Sequence, residues 1–138
     1  DILLLNKKVA PRQIARKMHM NVGEPVFHSI IVHKDRGLPM QHSERFINPE
    51  VAPLYLDQDF KKITPSDYLL EVAPVQQAEH IIEAILCTQM IAGQLKIKPD
   101  EPCIRLTRRT WSFNKVATYS RIISPGSRYK LTGKLIRG

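Results

Sequence analysis

An internal repeat is the feature that most constrains how this 138-residue chain can fold. Three pairs of segments match at a constant step of 77 residues without a gap, so that Ala15 corresponds to Ala92 and Pro25 to Pro102. The pairs are residues 15–25 with 92–102, residues 26–33 with 103–110, and residues 41–47 with 118–124. Self-similarity at a fixed step indicates that one supersecondary unit is used twice. We therefore predict two copies of a unit made of helix, turn, strand, tight connection and strand.

Each copy contains a predicted β-hairpin. Residues 26–33 are rich in β-branched and apolar side chains, and turn-forming residues at 35–37 separate them from a second strand over residues 40–47. The matching hairpin has strands over residues 103–111 and 116–124. Both hairpins are expected to join one antiparallel sheet.

Helix signals lie before the first hairpin and after it. Pro11 suits the first position of a short helix whose apolar residues share one face. Residues 49–60 predict a short helical turn, because two prolines interrupt their scattered apolar positions. Thr64 and Pro65 then predict a capped helix that continues through Leu70.

The second copy completes the predicted fold. The repeat favours a strand over residues 75–86, where periodicity alone leaves helix and strand open, and Thr88 is expected to cap the next helix. Residues 129–135 are predicted to add an edge strand. The fold class is α+β, an antiparallel sheet of two related hairpins with helices packed on one side.

Composition restricts the class of protein. With 43% hydrophobic and 25% charged residues, the chain has the composition of one soluble domain. No apolar run approaches the roughly 20 residues that span a bilayer. We therefore expect a cytoplasmic protein without a membrane partner. Cys87 and Cys103 are not at metal-ligand spacing, which predicts neither a metal site, a cofactor nor a disulfide framework. The net charge of +8 attracts anions, either small carboxylates or nucleic acid phosphates.

Several short segments occur in an order and at a spacing that resemble one known family. The likeness is to the effector-binding domain of the histidine-utilisation repressors, which belong to the GntR superfamily and whose sensing domain is called UTRA, with a fold like that of chorismate lyase. The segments are residues 26–29, 48–49, 78–84, 108–112 and 124–129.

The resemblance implies that residues 1–138 are the sensing half of a transcription repressor. Members of the family carry an N-terminal winged helix-turn-helix domain, and none precedes Asp1 here. They act as homodimers and repress histidine-degradation genes until urocanate binds. The expected partners are therefore urocanate or a related small carboxylate and a second copy of the chain, with DNA bound only through the missing N-terminal domain.

Strand alternation predicts a polar sheet face on which such a ligand would lie. Urocanate joins an imidazole to a carboxylate, so its site needs a cation at one end and an imidazole partner at the other. Because one bulge would exchange the two faces, the opposite set, which includes His28, Glu44, Arg109 and Arg121, stays an alternative. The favoured face carries Ser29, His33, Gln41, Ser43, Arg45, Arg108, Thr110 and Thr118.

Further candidate residues lie outside the hairpins. Glu79 and His80 are neighbours in a predicted strand, so their side chains must point to opposite faces. Glu79 is preferred as a ligand contact, because a carboxylate can accept a hydrogen bond from an imidazole N–H. The alternative is a structural salt bridge between Glu79 and Arg108. Tyr129 is expected at the pocket rim. The family often has an acidic residue where Ser43 stands, which puts the identity or orientation of the ligand in doubt.

Two other function classes compete with a sensor. We expect no enzyme, because the sequence has no metal cluster, Gly-rich phosphate loop or nucleophile motif; the alternative is a lyase-like enzyme acting on a small aromatic acid. A nucleic-acid-binding module would suit the positive charge. However, the strand aromatics Phe27, Phe46, Trp111 and Tyr119 are not interleaved with basic residues in a stacking pattern.

Overall fold

A computed structural model describes residues 1–136 of the chain. It contains one sheet of six strands, antiparallel throughout, and three α-helices. The predicted α+β class and both hairpins are confirmed. The spatial order of the strands is β1-β2-β3-β6-β5-β4. The elements are β1 (Ile2–Val9), α1 (Arg12–Lys17), β2 (Pro25–Asp35), β3 (Leu38–Ile47), α2 (Pro65–Val72), β4 (Gln77–Ile85), α3 (Gln89–Leu95), β5 (Cys103–Ser112) and β6 (Lys115–Pro125).

The two copies share one hydrogen-bond register. Ser29 pairs with Arg45 in the first hairpin, and at the step of 77 residues Leu106 pairs with Ile122 in the second. The β3–β6 pair joins the two copies. If each residue is exchanged for its counterpart 77 residues away, the pair Ser43–Ile122 becomes the pair Ser120–Arg45, which is also present. A pseudo-two-fold axis therefore passes between β3 and β6.

Backbone torsions repeat as well. Four residues of the first copy have positive φ, and three of them have a counterpart with positive φ in the second; the exception is Gly23, whose counterpart is Asp100. Two consecutive positive φ values at a hairpin turn match the right-handed twist of the flanking strands. The pairs are His19 with Lys96, Arg36 with Phe113, and Gly37 with Asn114.

Strand β1 was not predicted from the sequence. It pairs with β2 at one edge of the sheet as β4 pairs with β5 at the other, so each copy is strand, helix, strand, strand. Most of its residues are exposed. A strand with little buried surface on either face needs no alternation of apolar and polar residues, and the sequence from Ile2 to Val9 shows none.

The helices lie on both sides of the sheet. Helices α1 and α3, which belong to the two copies, share one face as expected, and Ile14 of α1 packs there with Phe46. The linker between the copies crosses the other face, where Tyr55 and Tyr68 pack on Phe27. The expectation of helices on one side is therefore corrected for α2, because each apolar face of a sheet must be covered.

The caps predicted at Thr64 and Thr88 are confirmed, whereas Pro11 is the N-cap of α1 and not its first helical residue. The Thr64 Oγ1 accepts a hydrogen bond from the Asp67 N–H at 3.1 Å, and the Thr88 Oγ1 accepts one from the Ile91 N–H at 3.3 Å. Within residues 1–136 no helix is both long enough and apolar enough to cross a membrane.

The predicted edge strand over residues 129–135 is wrong. Strand β6 lies between β3 and β5, so the chain that leaves it has no open sheet edge beside it. The chain instead forms a 3-10 turn, Gly126–Arg128, and the Gly126 N–H donates to the Pro102 carbonyl at 2.9 Å. The guanidinium of Arg128 then fixes this turn to backbone carbonyls of neighbouring elements.

Candidate functional site

The strand register places the predicted polar residues on one face of the sheet. Arg45 lies opposite both Ser29 and Ser120, and Ser120 lies opposite Arg108. Directly paired residues of antiparallel strands project to the same side. By the same pairing this face, called here the arginine face, carries Ser29, His33, Gln41, Ser43, Arg45, His80, Arg108, Thr110, Thr118 and Ser120.

A cavity of about 260 Å³ lies between the arginine face and α2. Its volume is close to the lower end of the ~300–1,000 Å³ that small-molecule sites occupy, so it suits a small ligand. The sheet contributes polar side chains and the helix contributes apolar ones. The lining consists of Arg45, Leu106, Arg108, Thr110, Thr118, Ser120 and Ile122 from the sheet and Ser66, Leu69, Leu70, Ala73 and Val75 from α2 and the loop after it.

Arg45 is a buried cation in this cavity. Arg45 is 7% exposed, and its Nη2 donates to the Ser66 Oγ at 3.1 Å. Its Nη1 is buried and has no hydrogen-bond partner among residues 1–136. Burial lowers the pKa of Arg45; Tyr55 opposes this shift, and the neighbouring charge of Arg108 adds to it. A buried charge without a counterion is costly, so this guanidinium is poised to accept an anion.

Arg108 provides a second cation. Its Nε is buried and has no hydrogen-bond partner in the part of the chain that the structure describes. The salt bridge considered between Arg108 and Glu79 does not form, because Arg109 takes both carboxylate oxygens of Glu79 at 3.2 Å on the other face. Across residues 1–136, neither Arg45 nor Arg108 is paired with a carboxylate.

Hydroxyl groups form a polar floor between and beside the arginines. The Thr110 Oγ1 and Thr118 Oγ1 share a hydrogen bond of 2.6 Å across the β5–β6 pair, and both residues are buried. Ser120, between the two arginines in register, is 5% exposed. Each hydroxyl can donate or accept, so this floor can bind a carboxylate oxygen or an imidazole nitrogen.

Besides His80, four predicted residues share the arginine face but do not line the cavity. Ser29 is covered by the linker, and its Oγ shares a 2.9 Å hydrogen bond with the Tyr55 hydroxyl. Ser43 is 0% exposed, and its Oγ has no partner within residues 1–136. Gln41 and His33 pair with each other further along the hairpin. Burial and then the charge of Arg45 lower the pKa of His33 to about 4, so its imidazole is neutral at pH 7.

The preference for Glu79 over His80 is corrected. Glu79 pairs in register with Arg109 and points away from the arginine face, whereas His80 pairs with Arg108 and points to it. His80 lies on the edge strand β4 and is exposed, outside the cavity lining. Tyr129 is half-buried after the last 3-10 turn and does not reach the cavity rim.

The part of the site that α2 contributes was not predicted from the sequence. Ser66, Leu69, Leu70 and Ala73 follow the spacing i, i+3, i+4 and i+7, which brings side chains to one face of a helix. This spacing was available from the sequence. Which face of the sheet the helix covers was not, because that depends on the path of the linker.

Comparison with known proteins gives consistent similarities. The family model of the UTRA domain matches residues 1–130. The histidine utilization repressor of Pseudomonas putida is 42% identical over 134 residues, which are 97% of this chain and 54% of that protein. The repressor of the same name from Klebsiella aerogenes is 38% identical over 97% of this chain and 56% of its own length. The chain thus spans about half the length of the curated relatives it matches.

Solved structures agree in fold. The C-terminal domain of the histidine utilization repressor from Pseudomonas syringae pv. tomato is 42% identical and superposes with a TM-score of 0.95, covering 99% of this chain and 97% of that one. The effector domain of PhnF from Mycobacterium smegmatis covers 99% of this chain and 85% of its own, with a TM-score of 0.88. At 14% identity this second similarity concerns the fold alone.

Proposed function

The chain belongs to the UTRA domain family, and from this premise we propose that it is the effector-binding domain of a repressor of histidine-utilisation genes whose effector is a small carboxylate such as urocanate. The effector would bind in the cavity between the arginine face and α2. The DNA-binding part would lie in a separate winged helix-turn-helix domain, in line with the greater length of the relatives.

One observation carries the choice of an anion. Arg45 and Arg108 both reach the cavity, and within residues 1–136 no carboxylate pairs with either of them. Two neighbouring guanidinium groups repel each other and lose hydration on burial. A ligand carboxylate relieves both costs and forms charge-assisted hydrogen bonds, which a neutral ligand cannot do.

The rest of the cavity suits a flat, partly apolar acid. With the carboxylate at the arginines, the other end of the ligand meets the hydroxyls of Thr110 and Thr118. Leu69 and Leu106 also line the cavity and provide apolar surface for a planar ring. An imidazole combines a flat ring with a donor and an acceptor, and this combination matches urocanate.

Helix α2 is the element through which binding would reach the rest of a repressor. Its first turn is hydrogen-bonded to Arg45, and its leucines cover the cavity. An anion that engages Arg45 therefore binds most tightly to the arrangement in which α2 is closed over the sheet. A ligand shifts a conformational equilibrium only by this difference in affinity, so closure of α2 would move the attached DNA-binding domains away from operator spacing.

We also propose that the chain forms a homodimer through the edge strand β4. Eight of the nine residues of β4 are exposed, and β4 is the last strand at its edge of the sheet described for residues 1–136. Ile81 and Ile82 are 48% and 53% exposed. An exposed edge with unpaired backbone groups and apolar side chains can pair with the same edge of a second copy.

Isothermal titration calorimetry tests the effector. Urocanate should bind one to one, more tightly than histidine or benzoate, and Arg108→Ala should weaken it by about tenfold to a hundredfold, as expected for a lost charge-assisted hydrogen bond. Arg105→Ala is the matched control, because Arg105 lies on the same strand but faces the other way and pairs with Glu83.

The outcomes separate three interpretations. Binding that is lost in Arg108→Ala and kept in Arg105→Ala supports the proposed site. Urocanate binding that survives Arg108→Ala contradicts this site and moves the search to the opposite face of the sheet. Steady turnover of urocanate by the domain would instead favour the lyase-like alternative.

A further inference from the structure

A second cavity, of about 430 Å³, lies at the end of α1. It is bounded by the residues after α1, the start of β2, the loop after β3 and the β5–β6 turn. It shares no lining residue with the cavity at the arginine face. This cavity is therefore not part of the proposed effector site.

The second copy of the repeat shows what an equivalent place can hold. The guanidinium of Arg128 lies at the end of α3, where Nη1 donates to the carbonyls of Leu95 at 2.6 Å and Pro39 at 2.9 Å. Its Nη2 donates to the carbonyl of Lys96 at 3.1 Å. Carbonyl groups at a helix C-terminus are left without intrahelical partners and attract cations. These three carbonyls thus form a guanidinium site within the molecule.

The first copy repeats these carbonyls around the 430 Å³ cavity. At the step of 77 residues, Leu95 and Lys96 correspond to Met18 and His19, and Pro39 corresponds to Val116; all three counterparts line the cavity. The backbone conformation is also conserved, since φ is 52° at His19 and 55° at Lys96.

Among residues 1–136 no arginine donates to the carbonyls of Met18 or His19; Arg109 donates instead to the carbonyl of Lys17, one residue earlier, at 3.1 Å. The counterpart of Arg128 is Val51, which is buried in a small apolar cluster with Ala73 and Ala117. The Asn48 Nδ2 donates to the Val116 carbonyl at 3.2 Å, so one of the three acceptors is already used. Within residues 1–136, the hydrogen bonds outside regular helices and strands include none to the carbonyls of Met18 or His19.

The side chains around the cavity also suit a cation. Glu24 and Glu50 line it. Glu50 is paired with Lys115, whereas the Glu24 carboxylate accepts a hydrogen bond from the Asn21 Nδ2 at 3.0 Å and pairs with no cation within residues 1–136. Trp111 adds an aromatic wall, and indole rings are the strongest cation-binding aromatic groups. The guanidinium of Arg109 already lies 4.8 Å from the centroid of this ring, so the chain itself holds one guanidinium beside the cavity.

We propose that this cavity binds a guanidinium group, either of a small molecule or of an arginine side chain in a polypeptide. The two helix-end carbonyls supply acceptors, Glu24 supplies charge, and Trp111 supplies an aromatic wall beside the guanidinium of Arg109. A guanidinium, with its planar array of five N–H donors, satisfies several such acceptors at once, as Arg128 does in the second copy.

Tryptophan fluorescence tests the proposal on the intact chain, because Trp111 is its one tryptophan. Agmatine and a capped Gly-Arg-Gly peptide are titrated separately, with methylammonium as the reference cation. We expect a saturable change with a Kd on the order of 1 mM for the guanidinium probes. A tighter response to agmatine indicates a small-molecule ligand, and a tighter response to the peptide indicates a protein segment.

Three variants make the result specific. Glu24→Gln should weaken binding by about threefold, as expected for one partly exposed ion pair, whereas Glu83→Gln, outside the cavity and paired with Arg105, should not change it. Arg128→Ala empties the site in the second copy, so agmatine should raise the melting temperature of this variant more than that of the parent. Absence of a saturable signal, or equal binding of methylammonium, overturns the proposal.

Discussion

Glu44 and Arg121 are counterparts in the two copies of the repeat, and they form an ion pair with each other across the pseudo-two-fold axis. The Glu44 Oε1 accepts from the Arg121 Nη2 at 2.7 Å, and its Oε2 accepts from the His28 Nε2 at 2.9 Å. In two identical copies both positions would carry the same charge and repel. Because one copy has an acid and the other a base at this position, the interaction between β3 and β6 is electrostatically favourable.

Replacing Glu44 by glutamine should lower the free energy of unfolding by about 1–3 kcal/mol, because hydrogen bonds to both a histidine and an arginine lose their ionic character. Urea denaturation at pH 7 measures this. Glu83→Gln, in an exposed pair with Arg105, is the control and should cost less than about 0.5 kcal/mol. Equal costs for the two variants would show that the pair at the axis contributes no more than a surface ion pair.

The Glu44 pair also has a pH signature. The hydrogen bond from His28, and then the charge of Arg121, hold the pKa of Glu44 below its ordinary value of 4.5 despite burial. A lowered carboxyl pKa means that its stabilising contribution is present above pH 4.5 and is lost as the pH falls through the folded-state pKa. The difference in stability between the parent and Glu44→Gln should shrink in that acidic range.

Arg45→Met should separate stability from binding. The variant removes a buried, unneutralised charge and keeps an apolar side chain of similar length, so the ligand-free domain should be as stable as the parent or more stable by about 1 kcal/mol. Urocanate binding should be lost. Denaturation and calorimetry on the same sample measure both. A loss of more than about 2 kcal/mol would show instead that Arg45 holds the fold together through Ser66.

His33 should make the domain less stable in mild acid. Its pKa falls from 6.5 to about 4 on folding, so the unfolded chain binds more protons between these values and the free energy of unfolding decreases as the pH falls from 6.5 to 4. Because His33 is partly exposed, the slope should stay below the ~1.4 kcal/mol per pH unit of one fully linked proton.

The variant His33→Gln should flatten this pH profile of stability without abolishing it. Burial also lowers the pKa of His42, which therefore adds to the slope in the same direction. Thermal melts at intervals between pH 4 and 7 give the measurement. An unchanged slope in His33→Gln would mean that its imidazole is hydrated in the folded state.

Tyr55→Phe should cost about 1–3 kcal/mol, because it leaves the Ser29 hydroxyl buried without its 2.9 Å partner. Ser29→Ala in the same chain should recover part of this loss, since both polar groups are then gone. A double-mutant cycle by urea denaturation measures the coupling. If the two costs simply add, the hydroxyl of Ser29 finds another partner in the variant.

Much of the sheet could be predicted because the repeat carries it. The matching of Ala15 with Ala92 and Pro25 with Pro102 extends to the register, the irregular pairings and the positive φ values of the structure. The arginine face followed from period-two alternation, since no bulge falls between Ser29 and His33 or between Leu106 and Thr110.

The remaining features depend on contacts between distant residues. Strand β1 has too little burial to leave a pattern in its sequence. Whether Glu79 or His80 points to the arginine face depends on the pairing of β4 with β5, which local sequence does not fix. The cover of the cavity depends on the path of the linker, and the hydrogen bond between Arg45 and Ser66 joins residues 21 positions apart.

The linker that carries α2 occurs once in a sheet that otherwise repeats itself, and this has a consequence for how a ligand is held. A sheet with true two-fold symmetry would present the same surface to a molecule turned end for end, so an asymmetric acid could lie in it in two equivalent orientations. Because α2 has no counterpart related to it by the pseudo-two-fold axis, the two orientations differ in energy and the two ends of the ligand are distinguished. The polarity of the site thus comes from the segment between the duplicated units.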